Sequence, residues 1–291
     1  MPEPWTILKL IKWTADYLGE KGIDTPRLDG ELLLAHSLKM DRTHLYMNFD
    51  KPLNEDELAA FRGLVKRRAA REPLQYITGH QEFWSMEFKV SPSVLIPRPE
   101  TELLVEEGAK AVKASFPECS APEILDVGSG SGALTAALAK AVNGAHVTGV
   151  DISPEAVSLA RENVESNGLS SSVTILEGDL FAPVADKLFH LIVSNPPYIP
   201  RGDLQGLQAE VSDFEPLSAL DGGNDGLDFY RAIVHEAPQH LHPGGSFMVE
   251  HGEGQREAIA ELFRNTGRFE AVESLKDLAG IDRVVKGRRT R

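Results

Sequence analysis

Along residues 4–22, Trp5, Leu8, Ile11, Ala15 and Leu18 recur every three or four positions, with Leu10 beside Ile11. That is the spacing of one helix face, and Gly19 or Gly22 supplies the stop. A second helix is predicted from Pro26, a residue suited to the first helical position, with Leu28, Leu32, Leu33 and Ala35 on its apolar side. After a short segment near 44–49, Asn54-Glu55-Asp56-Glu57 has the form of a capping box, and the helix it opens presents Leu58, Phe61 and Val65. Residues 4 to 72 therefore read as a small all-helical bundle. Glu72-Pro73 ends it, and Leu74 to Gly79 reads as the start of extended chain. Phe83, Phe88 and Val90, followed by Val94 to Ile96, predict a β-hairpin bounded by Pro92 and by Pro97-Arg98-Pro99.

The period then changes. Pro99-Glu100-Thr101-Glu102 opens a helix through Leu103, Leu104 and Val105, with acidic residues in the turn where the helix dipole favours them. From residue 122 short apolar runs alternate with helical patterns. Strands are predicted at 123–127, 146–151, 173–177, 189–194, 245–250, 269–275 and 282–286, with helices at 132–142, 154–166, 226–241 and 254–266. Ser153 caps the second of these helices, Pro154 takes its first position and Gly168 closes it, while His242-Pro243-Gly244-Gly245 reads as a turn. This alternation is the signature of a wound parallel sheet, so the fold class is α/β and Rossmann-like, with seven strands. The predicted organisation is a helical domain at 1–73, a β-hairpin connector at 74–97 and the α/β domain at 98–291.

Composition narrows the function. The 291 residues suit two domains, and 44 acidic against 30 basic side chains give a net charge of −14. That balance argues against a broad footprint on duplex nucleic acid, whose affinity rests on lysine and arginine. The clusters Lys66-Arg67-Arg68 with Arg71, and Lys286 to Arg291, read as a solvated helix face and a charged terminus. A lone Cys119 fits a reducing compartment, Met1-Pro2-Glu3-Pro4-Trp5 does not open a signal peptide, and no run is long enough to cross a membrane. A cytoplasmic protein is expected. The nine histidines show no metal-ligand spacing, so no metal is expected.

The candidate chemistry sits at strand ends. Ile124-Leu125-Asp126-Val127 runs into Gly128-Ser129-Gly130-Ser131-Gly132, a strand, a glycine turn and a helix, which places a nucleoside-bearing ligand over the carboxyl end of the sheet. Asp151 ends the next strand, where a carboxylate accepts from ribose hydroxyls. Asp179 and Leu180 follow the third strand and suit an exocyclic amine and the face of a base, with a turn aspartate as the plainer reading. The fourth strand ends in Asn195-Pro196-Pro197-Tyr198, a rigid loop poor in donors, whose Asn195 oxygen and Pro196 carbonyl suit a planar group carrying NH2. Glu250-His251 ends the fifth strand near the same rim and reads as a hydrogen-bonded structural pair ahead of a catalytic one, and residues 221–226 as the cap of the helix at 226 ahead of a flexible glycine-rich loop that closes over a substrate.

Together these stretches resemble the class I S-adenosylmethionine-dependent methyltransferases that act on planar nitrogens, and within them the HemK family of release factor glutamine-N5 methyltransferases. Further stretches carry the resemblance across nearly the whole chain: Arg71 to Ile77 with Gly79, Ile96 to Glu102, Glu215-Pro216, and Asp221-Gly222-Gly223 with Asp225-Gly226-Leu227. The resemblance implies methyl transfer from S-adenosylmethionine to the amide nitrogen of the glutamine in the Gly-Gly-Gln loop of class I peptide-chain release factors. It assigns Gly128, Ser129, Gly130, Ser131 and Gly132 to the methionine part of the cofactor, Asp151 to the ribose, Asp179 and Leu180 to the adenine, and Asp126 and Ile152 to the same binding set. Asn195 is expected between cofactor and substrate, with Pro196, and with Pro197 and Tyr198 sandwiching the substrate amide. Two departures stand out: Leu180 where some members carry an aromatic, and Ser129 where threonine is frequent. The helical domain is expected to dock a protein partner, the protein to be a monomer, and nucleic acid not to be bound directly. A nucleic-acid adenine-N6 methyltransferase and a non-catalytic cofactor-binding protein are the alternatives.

Overall fold

The computed structural model describes residues 4–291 and divides into two compact units. One comprises the described residues up to His80 together with Gln208–Phe214; the other comprises Gln81–Leu207 and Glu215–Arg291. Met1, Pro2 and Glu3, which begin the stretch read as lacking a signal peptide, lie outside the described residues.

The helical unit holds α1 (Ile7–Glu20), α2 (Pro26–Leu38), α3 (Arg42–Met47), α4 (Glu55–Ala69) and α5 (Leu74–Thr78). The capping box opening α4 is present, with the Asn54 side chain accepting from the Glu57 N–H at 2.9 Å and the Glu57 carboxylate accepting from the Asn54 N–H at 2.9 Å. Ile7, Leu10, Ile11, Leu18, Leu33, Leu34, Phe61 and Val65 form the core. Trp5 and Leu28, expected on the apolar faces, are instead exposed, because the buried stripe is centred on Ile7 and Leu10 in α1 and on Leu33 and Leu34 in α2. Leu74 to Gly79 is helical rather than extended. Pro73 precedes the first turn and Gly79, at φ 81°, ends it, so the two punctuating residues override the β-propensity of Tyr76, Ile77 and Thr78.

The basic cluster on α4 is only partly a solvated face. Arg68 is 7% exposed, with its guanidinium 2.7 Å from the Asp29 carboxylate and 3.0 Å from that of Glu210. Arg71 reaches Glu210 at 2.7 Å and donates to the Gly22 carbonyl at 2.6 Å. Burial of an arginine demands such partners, and carboxylates from α2 and from the 208–214 segment supply them.

The α/β unit takes up the chain with the hairpin β1 (His80–Phe83) and β2 (Met86–Lys89), then α6 (Glu102–Ser115), β3 (Glu123–Val127), α7 (Ala133–Ala141), β4 (His146–Asp151), α8 (Pro154–Ser166), β5 (Val173–Glu177) and β6 (Phe189–Ser194). The short turn α9 (Ala209–Ser212) belongs to the helical unit, and α10 (Asp228–Glu236), β7 (Leu241–Glu250), α11 (Arg256–Asn265), β8 (Phe269–Lys276) and β9 (Asp282–Arg289) complete the chain. Residues 94–96, assigned to the hairpin from sequence, form no strand. The seven-stranded sheet has the order β5-β4-β3-β6-β7-β9-β8, parallel from β5 to β7 and antiparallel at β9 and β8. His242 to Gly245 is a bulge inside β7 rather than a turn before it, since the pairing with β6 jumps from Phe189 with Leu241 to Leu191 with Ser246.

Successive strand residues serve opposite faces. Ile124, Leu191 and Val193 join Leu104, Val105 and Leu138 on one side, together with Phe83, Met86 and Phe88 of the hairpin. Leu125, Val127, Ile192 and Phe247 join Tyr230, Ile233, Ile259 and Phe263 on the other. A sheet covered on both faces explains why its strands read as continuous apolar runs. Gly108 allows α6 to approach, for a Cβ there would fall 2.8 Å from the Leu191 side chain.

Candidate active site

The chain leaves β3, crosses out to β4 and β5, and returns to the far side of β3 as β6, so the carboxyl ends of these strands flank a topological switch point. All four ends open on one cavity of about 770 Å3 within the α/β unit, a volume typical of small-ligand sites. The Ser194 hydroxyl donates to the Val127 carbonyl at 2.7 Å, tying the loop after β6 to the glycine turn after β3.

Gly128, Gly130 and Gly132 all have left-handed φ, at 81°, 52° and 79°. At Gly128 and Gly130 a Cβ would meet nothing within 4 Å, so the space before the turn is open, whereas at Gly132 it would strike Ala160 of α8 at 3.1 Å. Gly132 accordingly serves helix packing and is not in the cavity wall, while Gly128, Ser129, Gly130 and Ser131 are. Asp151 braces the turn, accepting from the Gly130 N–H at 2.8 Å and the Ser153 N–H at 2.9 Å. Asp151, Ile152, Asp179 and Leu180 line the cavity; Ile152 is 65% exposed, and Leu180 holds a φ of 47°, strained for a side chain of its kind. Asp126 lies beneath the lining, buried, with the Thr135 hydroxyl donating to it at 2.6 Å. Burial, helped by the Asp151 charge, pushes its carboxyl up to about 7.

Asn195, Pro196 and Pro197 line the same cavity. Tyr198 does not; its ring lies against Gly252, where a Cβ would come within 3.1 Å, and its carbonyl accepts from the Gln255 amide at 2.8 Å. Burial holds its hydroxyl neutral, pushed up to about 12. Residues 221–226 both brace the loop after Pro197 and cap α10: Ile199 pairs with Asp221, the Arg201 N–H donates to the Gly223 carbonyl at 2.8 Å, and the Gly222 carbonyl accepts from the Asp228 N–H at 3.0 Å. A Cβ on Gly222 would lie 2.8 Å from the Tyr198 backbone. Glu250 and His251 are not each other's partners. His251 Nδ1 bonds the Gly252 carbonyl at 2.7 Å, while the buried Glu250 Oε2 has no hydrogen-bond partner among the described residues.

Sequence reasoning missed Thr101, Arg98 and Glu215. Asn195 Nδ2 donates to the Thr101 hydroxyl at 3.1 Å, and Arg98 pairs with the buried Glu215 at 2.6 Å on the rim. All three lie in stretches already singled out, Ile96 to Glu102 and Glu215-Pro216, so a signal existed without a role attached. Among the described residues no group of His, Cys, Asp and Glu could hold a metal ion, and no helix is long and apolar enough to cross a membrane.

The cavity fits a nucleoside joined to an amino acid: an open glycine turn, a carboxylate at the end of β4, an apolar shelf at Ile152 and Leu180, and a buried Ser129 hydroxyl with no hydrogen-bond partner among the described residues. Comparison with known proteins agrees. A PrmC N-terminal domain model matches residues 9–79, and a methyltransferase small domain model matches residues 101–209. A release factor glutamine methyltransferase from Geobacter sulfurreducens is 54% identical over 287 residues, covering 99% of this chain and 98% of that protein. The chain belongs to the release factor glutamine methyltransferase family. Another member, from Rhodopirellula baltica, is 40% identical across 97% of this chain and 96% of its own. A methyltransferase from Pyrococcus furiosus, 18% identical with a TM-score of 0.52 over 82% of this chain and all of its own, shares the fold. In this family member the class I methyltransferase sheet thus carries the glycine turn and the Asn195 loop side by side.

Proposed function

We propose that this enzyme methylates the side-chain amide nitrogen, N5, of the glutamine in the Gly-Gly-Gln loop of class I peptide-chain release factors. The observation that carries the reading is the acceptor wall of Asn195 and Pro196, which opens on the same cavity as the glycine turn and Asp151. Gly128 to Ser131 would hold the methionine part of S-adenosylmethionine, Asp151 its ribose, and Ile152, Asp179 and Leu180 its adenine side. When bound, S-adenosylmethionine supplies an electrophilic methyl group on a sulfonium sulfur.

An amide nitrogen is a poor nucleophile because its lone pair is delocalised into the carbonyl. Asn195 Oδ1 and the Pro196 carbonyl accept its two hydrogens, fix the NH2 group in the cavity and stabilise the positive charge that grows on nitrogen as the new N–C bond forms. Pro197 limits the wall, and Tyr198 supports the loop from its packing against Gly252. No base is required before transfer, since the extra proton leaves once the nitrogen is alkylated. The helical unit, including residues 208–214, serves as the docking module for the release factor, and the protein works as a cytoplasmic monomer without binding nucleic acid directly.

The test is incubation of the protein with isotopically labelled S-adenosylmethionine and either release factor or DNA, with the label located by mass spectrometry. Label on the glutamine of the Gly-Gly-Gln loop is expected. Label on adenine, or transfer to neither substrate, overturns the reading.

A further inference from the structure

Around the Asn195 loop the cavity is short of main-chain hydrogen-bond donors. Pro196, Pro197 and Pro200 have no N–H, and the Ile199 N–H is spent on the Leu220 carbonyl at 3.0 Å. On the segment paired with it, the N–H groups of Ala219, Leu220 and Asp221 close turns onto Pro216 and Leu217. Arg98 belongs to the same cavity wall as Pro216 and Leu217. Its guanidinium donates to the Glu215 carboxylate at 2.6 Å, its one side-chain hydrogen bond among the described residues, so the rest of its five N–H groups are unspent. The Glu215 side chain is buried and that of Arg98 is 32% exposed, which leaves the planar fork anchored at one end and open to the cavity at the other. Arg201, also in the wall and 2.9 Å from Asp221, is 63% exposed and held less closely.

We propose that Arg98 is a specificity-determining residue, its guanidinium, anchored by Glu215, donating to main-chain carbonyl oxygens of the glycine pair beside the substrate glutamine. The inference rests on the reading of the substrate as the Gly-Gly-Gln loop. Two glycines offer no side chain to recognise, so an enzyme that selects them must bind backbone, and without a Cβ their carbonyls are open to approach. A carbonyl needs a donor, and a wall whose own N–H groups are missing or spent leaves that task to Arg98.

The ion pair also decides which acceptor is suited. Glu215 already meets the charge of Arg98, so the free N–H groups suit a neutral oxygen. A second carboxylate, such as that of the cofactor's methionine part, would set two anions on one cation. Anchoring lowers the side-chain freedom lost when the substrate bond forms, a loss that is larger for the more exposed Arg201.

The test measures kcat and KM for full-length release factor, S-adenosylhomocysteine affinity by calorimetry, and thermal melting, in wild type, E215Q, R98Q/E215Q and R98K. The double variant is used because Glu215 Oε2 is already buried without a partner among the described residues, and removing Arg98 alone would strand the whole charge. R98Q/E215Q is expected to raise KM about 10–100-fold, the range for a charged hydrogen bond, with kcat and S-adenosylhomocysteine affinity close to those of the wild type. E215Q, which leaves Arg98 a neutral acceptor, is expected to raise KM only a few-fold. R98K keeps a cation against Glu215 but loses the planar fork; it is expected to raise KM about tenfold, and it decides the question should the double variant fail to fold. Wild-type KM in R98K and the double variant, an E215Q as impaired as the double variant, or a loss of S-adenosylhomocysteine affinity overturns the inference. The last of these would assign Arg98 to the cofactor's carboxylate. Failure of the wild type to methylate release factor overturns the substrate reading instead, which separates the two.

Discussion

Asp126 is enclosed beneath the glycine turn, so its charged form is disfavoured and its carboxyl rises to about 7. The unfolded chain releases that proton at an ordinary carboxylate value, so between about pH 4 and 7 the folded state binds more protons than the unfolded one. Its contribution is therefore fully present below pH 4 and is lost as pH rises through 7. D126N is expected to remove that part of the slope, on the order of 2–4 kcal/mol across the window, read from urea unfolding at pH 5 and pH 8. Asn195 gives the sharper test of chemistry: N195A should lower kcat about 100-fold or more while S-adenosylmethionine affinity measured by calorimetry stays near that of the wild type. Asn195 and Asp151 were legible from sequence because each ends an apolar run at a known place in a wound sheet. Glu250 was seen but paired with its neighbour His251, and Thr101 was assigned no role. Thr101 meets Asn195 from 94 residues away along the chain, and no local pattern reports such a contact.

Among the elements, the strands of the sheet were the most legible, since burial on both faces writes them as short apolar runs bounded by turn residues. The failures came where local chemistry and packing competed. Leu74–Thr78 is a helix because Pro73 and Gly79 frame one turn, despite β-favouring residues inside it. Residues 221–226 read as a flexible loop or a helix cap, yet Gly222 and Gly226 are small because the backbone of Tyr198 passes against them, within 2.8 Å and 2.3 Å of where a Cβ would stand. G222A should consequently push the Asn195 loop out of place. Displacements of about 1 Å in a reacting group can cost about 100-fold in rate. The expected result is a kcat loss of that order with nucleoside affinity nearly unchanged, since Asp151 holds the glycine turn through its own bonds to the Gly130 and Ser153 N–H groups.

Across the whole molecule, the chain is built as two units whose membership is not contiguous, because Gln208–Phe214 belongs with the N-terminal helices. Glu210 in that segment shares Arg68 with Asp29, so an R68A variant leaves the buried Asp29 carboxylate without its cation, while Glu210 keeps Arg71. A loss of about 3–5 kcal/mol is expected from breaking a buried pair in this way, measured by chemical denaturation, with cofactor binding by the α/β unit retained at temperatures where the variant is folded. Sequence by itself determined the helical and α/β halves, the strand ends that carry polar groups, and the family, because these depend on local periodicity and on motifs a few residues long. Tertiary structure alone decided that Arg68 is buried, that the Tyr198 ring packs against Gly252, and that Thr101 stands on the Asn195 amide. Each of those depends on which distant segments are brought together once apolar faces are buried, and the orientation of a single amide depends on the groups that meet there.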